Sequence, residues 1–195
     1  MKAAVRTTYG PPEVVRVTNV PTPEPRPSEV LVHVQATTVN RTDRGYRAGK
    51  PFIIRFFSGL IRPKVQVLGT EFADTVKAVG DSVTSFVPGD RVFGYNERTF
   101  GAHAQYMTIP EDGSLATIPT GVTFEQAAPS LEGSHYALAG LRAAKVGAGS
   151  DVLVYGATGA IGSAAVQLAK CLGATVTAVC RGEHATRWSA WAPTA

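Results

Sequence analysis

Hydrophobic and polar positions change their period along the chain. Over roughly the first 120 residues, apolar side chains come in short β-rich stretches (3–5, 14–17, 30–34, 65–79, 91–93 and 106–109) separated by turn residues. These predict the strands of a compact β domain with irregular loops. Pro21, Pro23, Pro25 and Pro27 alternate along one stretch, which excludes helix and predicts an extended connector. Farther on, the period lengthens. Residues 123–128 predict a helix capped by Thr120 or Thr123, and residues 136–144 predict a second that ends before Gly147-Ala148-Gly149. A short apolar strand over 151–155 then leads through a glycine turn into a helix over about 160–172. Gly173 and a second strand over 175–180 complete a βαβ unit. Both strands read as continuous apolar runs, the pattern of a parallel sheet covered on both faces.

Composition narrows the classes. With 195 residues, 44% of them hydrophobic and 17% charged, the chain is too apolar to be disordered. Twelve of the 13 prolines precede residue 130, so composition shifts where the period does. A net charge of +4 comes from 19 Lys and Arg scattered singly, and without a basic block no nucleic-acid partner is expected. Met1-Lys2 runs straight into a strand-like stretch, so no targeting segment is expected ahead of the fold. Residues 152–169 carry no charge, but Gly156, Gly159, Gly162, Thr158, Ser163 and Gln167 break them into strand, turn and helix, predicting soluble core and no membrane partner. Cys171 and Cys180 lack zinc-ligand spacing and cannot staple a fold of this size. A reducing, cytoplasmic location is the expectation.

The most chemical stretch is the glycine turn. Gly156, Ala157, Thr158, Gly159, Ala160, Ile161 and Gly162 form G-x-x-G-x-x-G where a strand meets a helix. A glycine at the strand end permits the tight turn, Gly159 lets a pyrophosphate approach the backbone, and Gly162 lets the helix pack close to the strand. Unpaired amides at the helix start then face the anion. The bland alternative is a purely structural turn. No Gly-Lys-Ser/Thr follows, which excludes a triphosphate-binding loop. Dinucleotide sites place Asp or Glu at the end of the second strand for NAD, or a basic group for the 2′-phosphate of NADP. Here Cys180-Arg181-Gly182 stands there. That favours NADPH over NADH with Arg181 as the phosphate contact, a solvated loop Arg being the alternative.

Six ordered motifs, this turn among them, run along the chain: Lys2-Ala3-Ala4-Val5 with Tyr9-Gly10-Pro11-Pro12-Glu13-Val14; Val39-Asn40-Arg41-Thr42-Asp43; Leu68-Gly69-Thr70-Glu71-Phe72-Ala73 with Val79-Gly80; Pro88-Gly89-Asp90-Arg91-Val92-Phe93-Gly94; Gly101-Ala102-His103-Ala104-Gln105-Tyr106; and the turn itself. Together they resemble the medium-chain dehydrogenase/reductase superfamily, specifically its zinc-independent quinone oxidoreductase-like branch, over about residues 1–182. The resemblance implies an α/β plus β fold: a GroES-like β domain over 1–125, then an incomplete Rossmann domain (doubly wound parallel sheet) over 126–195, with the active site in the cleft between them. Zinc-dependent relatives carry a ligand Cys where this chain has Asn40 and a ligand His where it has Thr70, and the four-cysteine lobe is missing. An amide and a hydroxyl are poor zinc donors, so no zinc is expected.

Without a Lewis acid, hydride addition to a quinone or an activated C=C bond is easier than reaction of a simple alcohol, because charge lands on a delocalised oxyanion. By resemblance Asn40 lies near the nicotinamide, Thr70 faces the former metal position, and Asp43 holds loop geometry. Tyr46 and His135 are the candidates for donating a proton or hydrogen bond to the substrate oxygen; otherwise each is a loop aromatic or a packed helix residue. The apolar insertion over 52–61 reads equally as a buried lid or subunit contact and as a wall for a bulky small-molecule substrate. A homodimer stays open for the full-length form.

The pattern then breaks. Residues 181–195 contain no Leu, Ile or Val, where a second crossover helix needs an apolar stripe. Residues 185–195 therefore read as an aberrant tail, from a frameshift or premature end after His184. An unusual genuine tail is the alternative. Two functions follow: an NAD(P)H-dependent oxidoreductase, or a truncated, catalytically inactive fragment of one. An interaction module finds no positive signal.

Overall fold

The computed structural model describes residues 1–184. The sequence reading of 185–195 lies outside them. Two compact units divide between Pro129 and Ser130.

The first unit is built on antiparallel pairing. Strands β1 (Lys2–Arg6) and β2 (Val15–Asn19) form a ribbon. A five-stranded sheet follows, made of β3 (Glu29–Thr37), β4 (Glu71–Val79), β5 (Arg91–Tyr95), β6 (Tyr106–Pro110) and β7 (Ser114–Thr117), in the order β6-β3-β4-β5-β7. Period-two alternation sends Val30 and Val32 of β3, Phe72 and Val76 of β4, Val92 of β5, and Met107 and Ile109 of β6 into one core. Central β4 is covered on its other face too. There Ala73 packs with Ile118, Ala127 and Ala128, residues around the short helix α3 (Phe124–Ala127). Thr123 caps that helix and Gln126 returns the bond, a capping box.

The apolar run over 65–79 is a strand only from Glu71; before it Val67 makes a single bridge to Val5. Strand β7 escapes sequence reading because Ser-Leu-Ala-Thr is short and mostly exposed, and its pairing to β5 defines it. Asp43 and Tyr46, read from sequence as loop residues, lie on a helix, α1 (Arg41–Ala48). This helix has almost no apolar stripe to announce it, and its ends hold it. Asn40 and Asp43 form a capping box at its start. At its end the buried Arg6 guanidinium donates from Nη1 to Tyr46 O (2.5 Å) and Arg47 O (3.4 Å), adding to the Gly49 and Gly10 amides that those two last-turn carbonyls also accept. Burial pulls the Arg6 pKa below its ordinary value.

The apolar insertion contains a second short helix, α2 (Ile54–Ser58). It is not a buried lid: Phe57 is 76% and Ile61 84% exposed. Tyr9 explains why. Its hydroxyl lies 2.7 Å from Ser58 Oγ and donates to Gly59 O (2.6 Å), and its ring lies beneath the Arg55 guanidinium at 4.6 Å. Anchored on that side, α2 turns Phe52, Phe56 and Phe57 outward.

In the second unit, α4 (Leu131–Ala143) starts five residues before its expected position and packs on α5 (Ala160–Cys171). Strands β8 (Asp151–Tyr155) and β9 (Thr175–Val179) pair in parallel around α5, so the βαβ unit stands as expected. One face of the pair packs on α5 through Val154 and Val166. The expectation of cover on both faces fails among the described residues: Leu153 is 67% and Tyr155 86% exposed. The architecture is thus a GroES-like β domain followed by a Rossmann-type βαβ unit.

Candidate functional site

Chemistry-bearing residues collect at two places, one in each unit. In the second, β8 ends at Tyr155 and the chain reverses through Gly156, whose φ of +80° is a left-handed conformation favoured by glycine. The amides of Gly156 and Ala157 both donate to Val179 O at the end of β9 (3.0 and 3.1 Å), tying the turn to the second strand. Gly159 occupies the N-cap position of α5 without a side-chain cap. The amides of Ala160, Ile161 and Gly162 open the helix, and first-turn amides have no intrahelical acceptor.

This turn fits a dinucleotide pyrophosphate. A Cβ on Gly159 would find only Gly156 O, at 3.6 Å, so the approach to the open amides is clear. One on Gly162 would meet Gly156 O at 2.3 Å and Ala157 Cα at 2.9 Å, so only a glycine lets the helix seat this close. Beside the turn lies a cavity of about 400 Å³ lined by Tyr155, Gly156, Thr158, Val179, Cys180, Arg181 and His184. Its walls come from the ends of both parallel strands, the place where open α/β sheets bind ligands. Arg181 reaches this cavity as the sequence order requires. Tyr155 and His184 were not singled out for binding; the end of β8 and the short turn Gly182–His184 place them there.

In the first unit, Asn40 and Thr70 meet although 30 positions apart: Asn40 Nδ2 donates to Thr70 Oγ1 at 2.7 Å. Asp43 fixes this pair. Its Oδ2 accepts from Asn40 N (3.1 Å) and its Oδ1 from Gly69 N (2.9 Å), so one buried carboxylate holds the backbone beside both partners. His103 Nε2 sits 2.8 Å from Thr38 O and 3.7 Å from Asp43 Oδ2. A carbonyl only accepts, so this nitrogen carries the proton. The Thr38 hydroxyl donates to Glu71 Oε2 (2.6 Å). His103 and Thr38 were not among the sequence candidates for this site; the Gly-Ala-His motif was the available signal.

The remaining candidates stand elsewhere. Tyr46 is half-buried on α1 with its ring against Phe100, centroids 4.7 Å apart. His135 is an exposed residue of α4 with its ring edge-on to Tyr136 at 5.5 Å. Thr70 itself is fully buried, at 0% exposure, which limits it to acting through Asn40 in this conformation. Among the described residues no three His, Cys, Asp or Glu side chains converge to hold a metal ion. No helix among them is long and apolar enough to cross a membrane.

Known proteins share this arrangement. Residues 26–120 match the alcohol dehydrogenase GroES-like domain family. A quinone oxidoreductase from Sus scrofa is 35% identical over 174 residues, 86% of this chain and 49% of the relative. An NADPH-dependent alkenal/one oxidoreductase from Arabidopsis thaliana is 32% identical over 178 residues, 87% of this chain and 44% of the relative. Among solved structures, an Escherichia coli quinone oxidoreductase complexed with NADPH superposes with a TM-score of 0.80 at 28% identity, covering 95% of this chain and 55% of that one. The chain spans about half the length of the curated relatives it matches. Sequence motifs, fold and relatives agree, and the chain belongs to the medium-chain dehydrogenase/reductase superfamily, in its quinone oxidoreductase-like branch.

Proposed function

We propose that the protein is an NADPH-dependent, zinc-independent reductase of quinones or of carbonyl-activated alkenes. The observation that carries this reading is the cavity at the glycine turn, which is lined by Gly156 and Thr158 of the turn leading into α5 and by Arg181 at the end of the second strand. Amides and a guanidinium suit the pyrophosphate and a 2′-phosphate respectively. Relatives named for NADPH and for quinone or alkenal/one reduction support it.

When bound, NADPH supplies the hydride. The chain's own groups bind and position. The amides of Ala160, Ile161 and Gly162 would hold the pyrophosphate, with Gly156, Ala157, Thr158 and Gly159 shaping the turn, and Arg181 would hold the 2′-phosphate. Asn40 and Thr70 stand where zinc-dependent relatives carry ligands, and an amide bonded to a hydroxyl is a poor donor set for zinc. The same amide is a good hydrogen-bond donor to a substrate oxygen on which negative charge accumulates. Reduction would leave an electron pair on that oxygen, and Tyr46, His135 or solvent would supply the proton it takes up. A small-molecule substrate is the only partner this chemistry needs.

Titration of NADPH fluorescence with the full chain, followed by NADPH oxidation in the presence of a simple quinone, tests the reading. Saturable binding tighter for NADPH than for NADH, with turnover, is expected. Tighter NADH binding would overturn the cofactor assignment. Binding without turnover would favour the second reading, an inactive fragment, for which the exposed Leu153 and Tyr155 are the specific observation.

A further inference from the structure

Two basic side chains at the nucleotide cavity share one carboxylate oxygen. Arg181 Nη1 lies 4.0 Å from Glu183 Oε1, and His184 Nε2 lies 3.5 Å from the same atom. Arg181 and His184 both line the cavity, together with Gly156 and Thr158 of the glycine turn. Glu183 itself does not line the cavity, but its Oε1 lies within 4.0 Å of a nitrogen on each of the two basic side chains that do.

That internal pairing is weak. Both separations exceed the roughly 2.7–2.9 Å of a charge-assisted hydrogen bond. Arg181 and Glu183 are also largely exposed, where ion pairs contribute little. A phosphate monoester brings about −1.5 to −2 charges near neutral pH and three acceptor oxygens, against a single carboxylate oxygen shared by two donors. An imidazole can donate to such an oxygen in either charge state, provided the nitrogen facing it carries a proton.

We infer that Arg181 and His184 together recognise the 2′-phosphate of the dinucleotide, and that Glu183 is an internal carboxylate which the phosphate displaces. The inference rests on the nucleotide reading above and adds a selectivity mechanism to it. Glu183 opposes NADPH by competing for both donors and repelling the phosphate. Toward NADH it does neither, since a ribose 2′-hydroxyl carries no charge and can itself donate to a carboxylate. Removing the Glu183 charge and removing the His184 imidazole should thus move cofactor preference in opposite directions.

The test compares the full chain with Glu183→Gln and His184→Gln, each titrated with NADPH and with NADH by nucleotide fluorescence. NADH serves as an internal control for folding of every variant. Glu183→Gln is expected to tighten NADPH binding by about twofold to fivefold, the range of a modest surface charge interaction, with NADH unchanged or weaker. His184→Gln is expected to weaken NADPH by a similar factor and to leave NADH unchanged. Titration with 2′,5′-ADP and 5′-ADP should reproduce both differences without the nicotinamide. NADPH weakened by Glu183→Gln, or His184→Gln moving both cofactors equally or neither, would overturn the inference while leaving the nucleotide site standing. Wild-type chain binding neither cofactor would overturn both readings.

Discussion

Replacing Gly162 by Ala tests whether the glycine turn is a packing constraint as well as a binding loop. The added methyl would lie 2.3 Å from Gly156 O and 2.9 Å from both Gly156 C and Ala157 Cα. All three are backbone atoms of a turn whose amides are already tied to Val179 O, so no flexible side chain can absorb the clash. Overpacking of this kind costs about 1–3 kcal/mol, and contact with fixed backbone points to the upper end. Alanine returns at most about 1 kcal/mol of helix propensity. A net loss of about 2 kcal/mol is expected in the second unit, with the start of α5 displaced from the strand ends. Gly159→Ala is the matched control: its φ is −74° and its methyl would meet only Gly156 O at 3.6 Å. It should leave stability within about 0.5 kcal/mol while weakening NADPH binding by crowding the open amides. Hydrogen exchange at β8 and α5 reads stability unit by unit, and nucleotide titration reads binding. If Gly162→Ala leaves exchange at β8 and α5 unchanged, the close approach does not constrain the fold and the argument fails.

Asp43→Ala removes the acceptor of two amides, those of Asn40 and Gly69. At about 1–3 kcal/mol for each buried unsatisfied group, the first unit should lose about 3 kcal/mol in a denaturant titration followed by circular dichroism; a loss under about 1 kcal/mol would mean water or rearrangement replaces the carboxylate. Glu111 has its pKa held below the ordinary value of 4.5, first by the Ser85 side chain and then by the Thr84 and Ser85 amides. A carboxylate with a depressed folded pKa stabilises above its unfolded pKa, and that contribution is lost as pH falls through the folded one. Exchange protection of the Thr84 and Ser85 amides should therefore fall only below about pH 4.5, and Glu111→Gln should remove the dependence. Phe57→Ser on the exposed side of α2 should shift stability by less than about 0.5 kcal/mol in the same titration, and a larger loss would show that the side chain is packed in solution.

What could be read from the chain alone was what short spans decide. The βαβ unit and its glycine turn lie within about 30 residues, and strand period, helix period and the backbone freedom of Gly156 act over a few positions each. Hence the turn was located to the residue, and β8 and β9 to within one. The capping box of α3 was equally local. Helix α1 was not read because its stability comes from its ends. Asn40 and Asp43 cap one, and Arg6, from a strand 35 positions earlier, closes the other.

Long-range pairing decided the rest. Antiparallel register between β3 and β4 puts Thr37 opposite Phe72, which carries Asn40 and Thr70 to 2.7 Å. Sequence proposed both residues and a geometry-holding role for Asp43, but neither the Asn40–Thr70 bond nor the Gly69 amide that the Asp43 carboxylate reaches across 26 positions. The same limit applied to exposure. The apolar insertion and the strands of the parallel pair look alike in hydrophobicity, yet Tyr9 turns α2 outward while α5 covers one face of β8 and leaves Leu153 and Tyr155 open. Hydrophobicity along a chain states what would gain from burial; which surfaces are buried depends on what the fold brings against them.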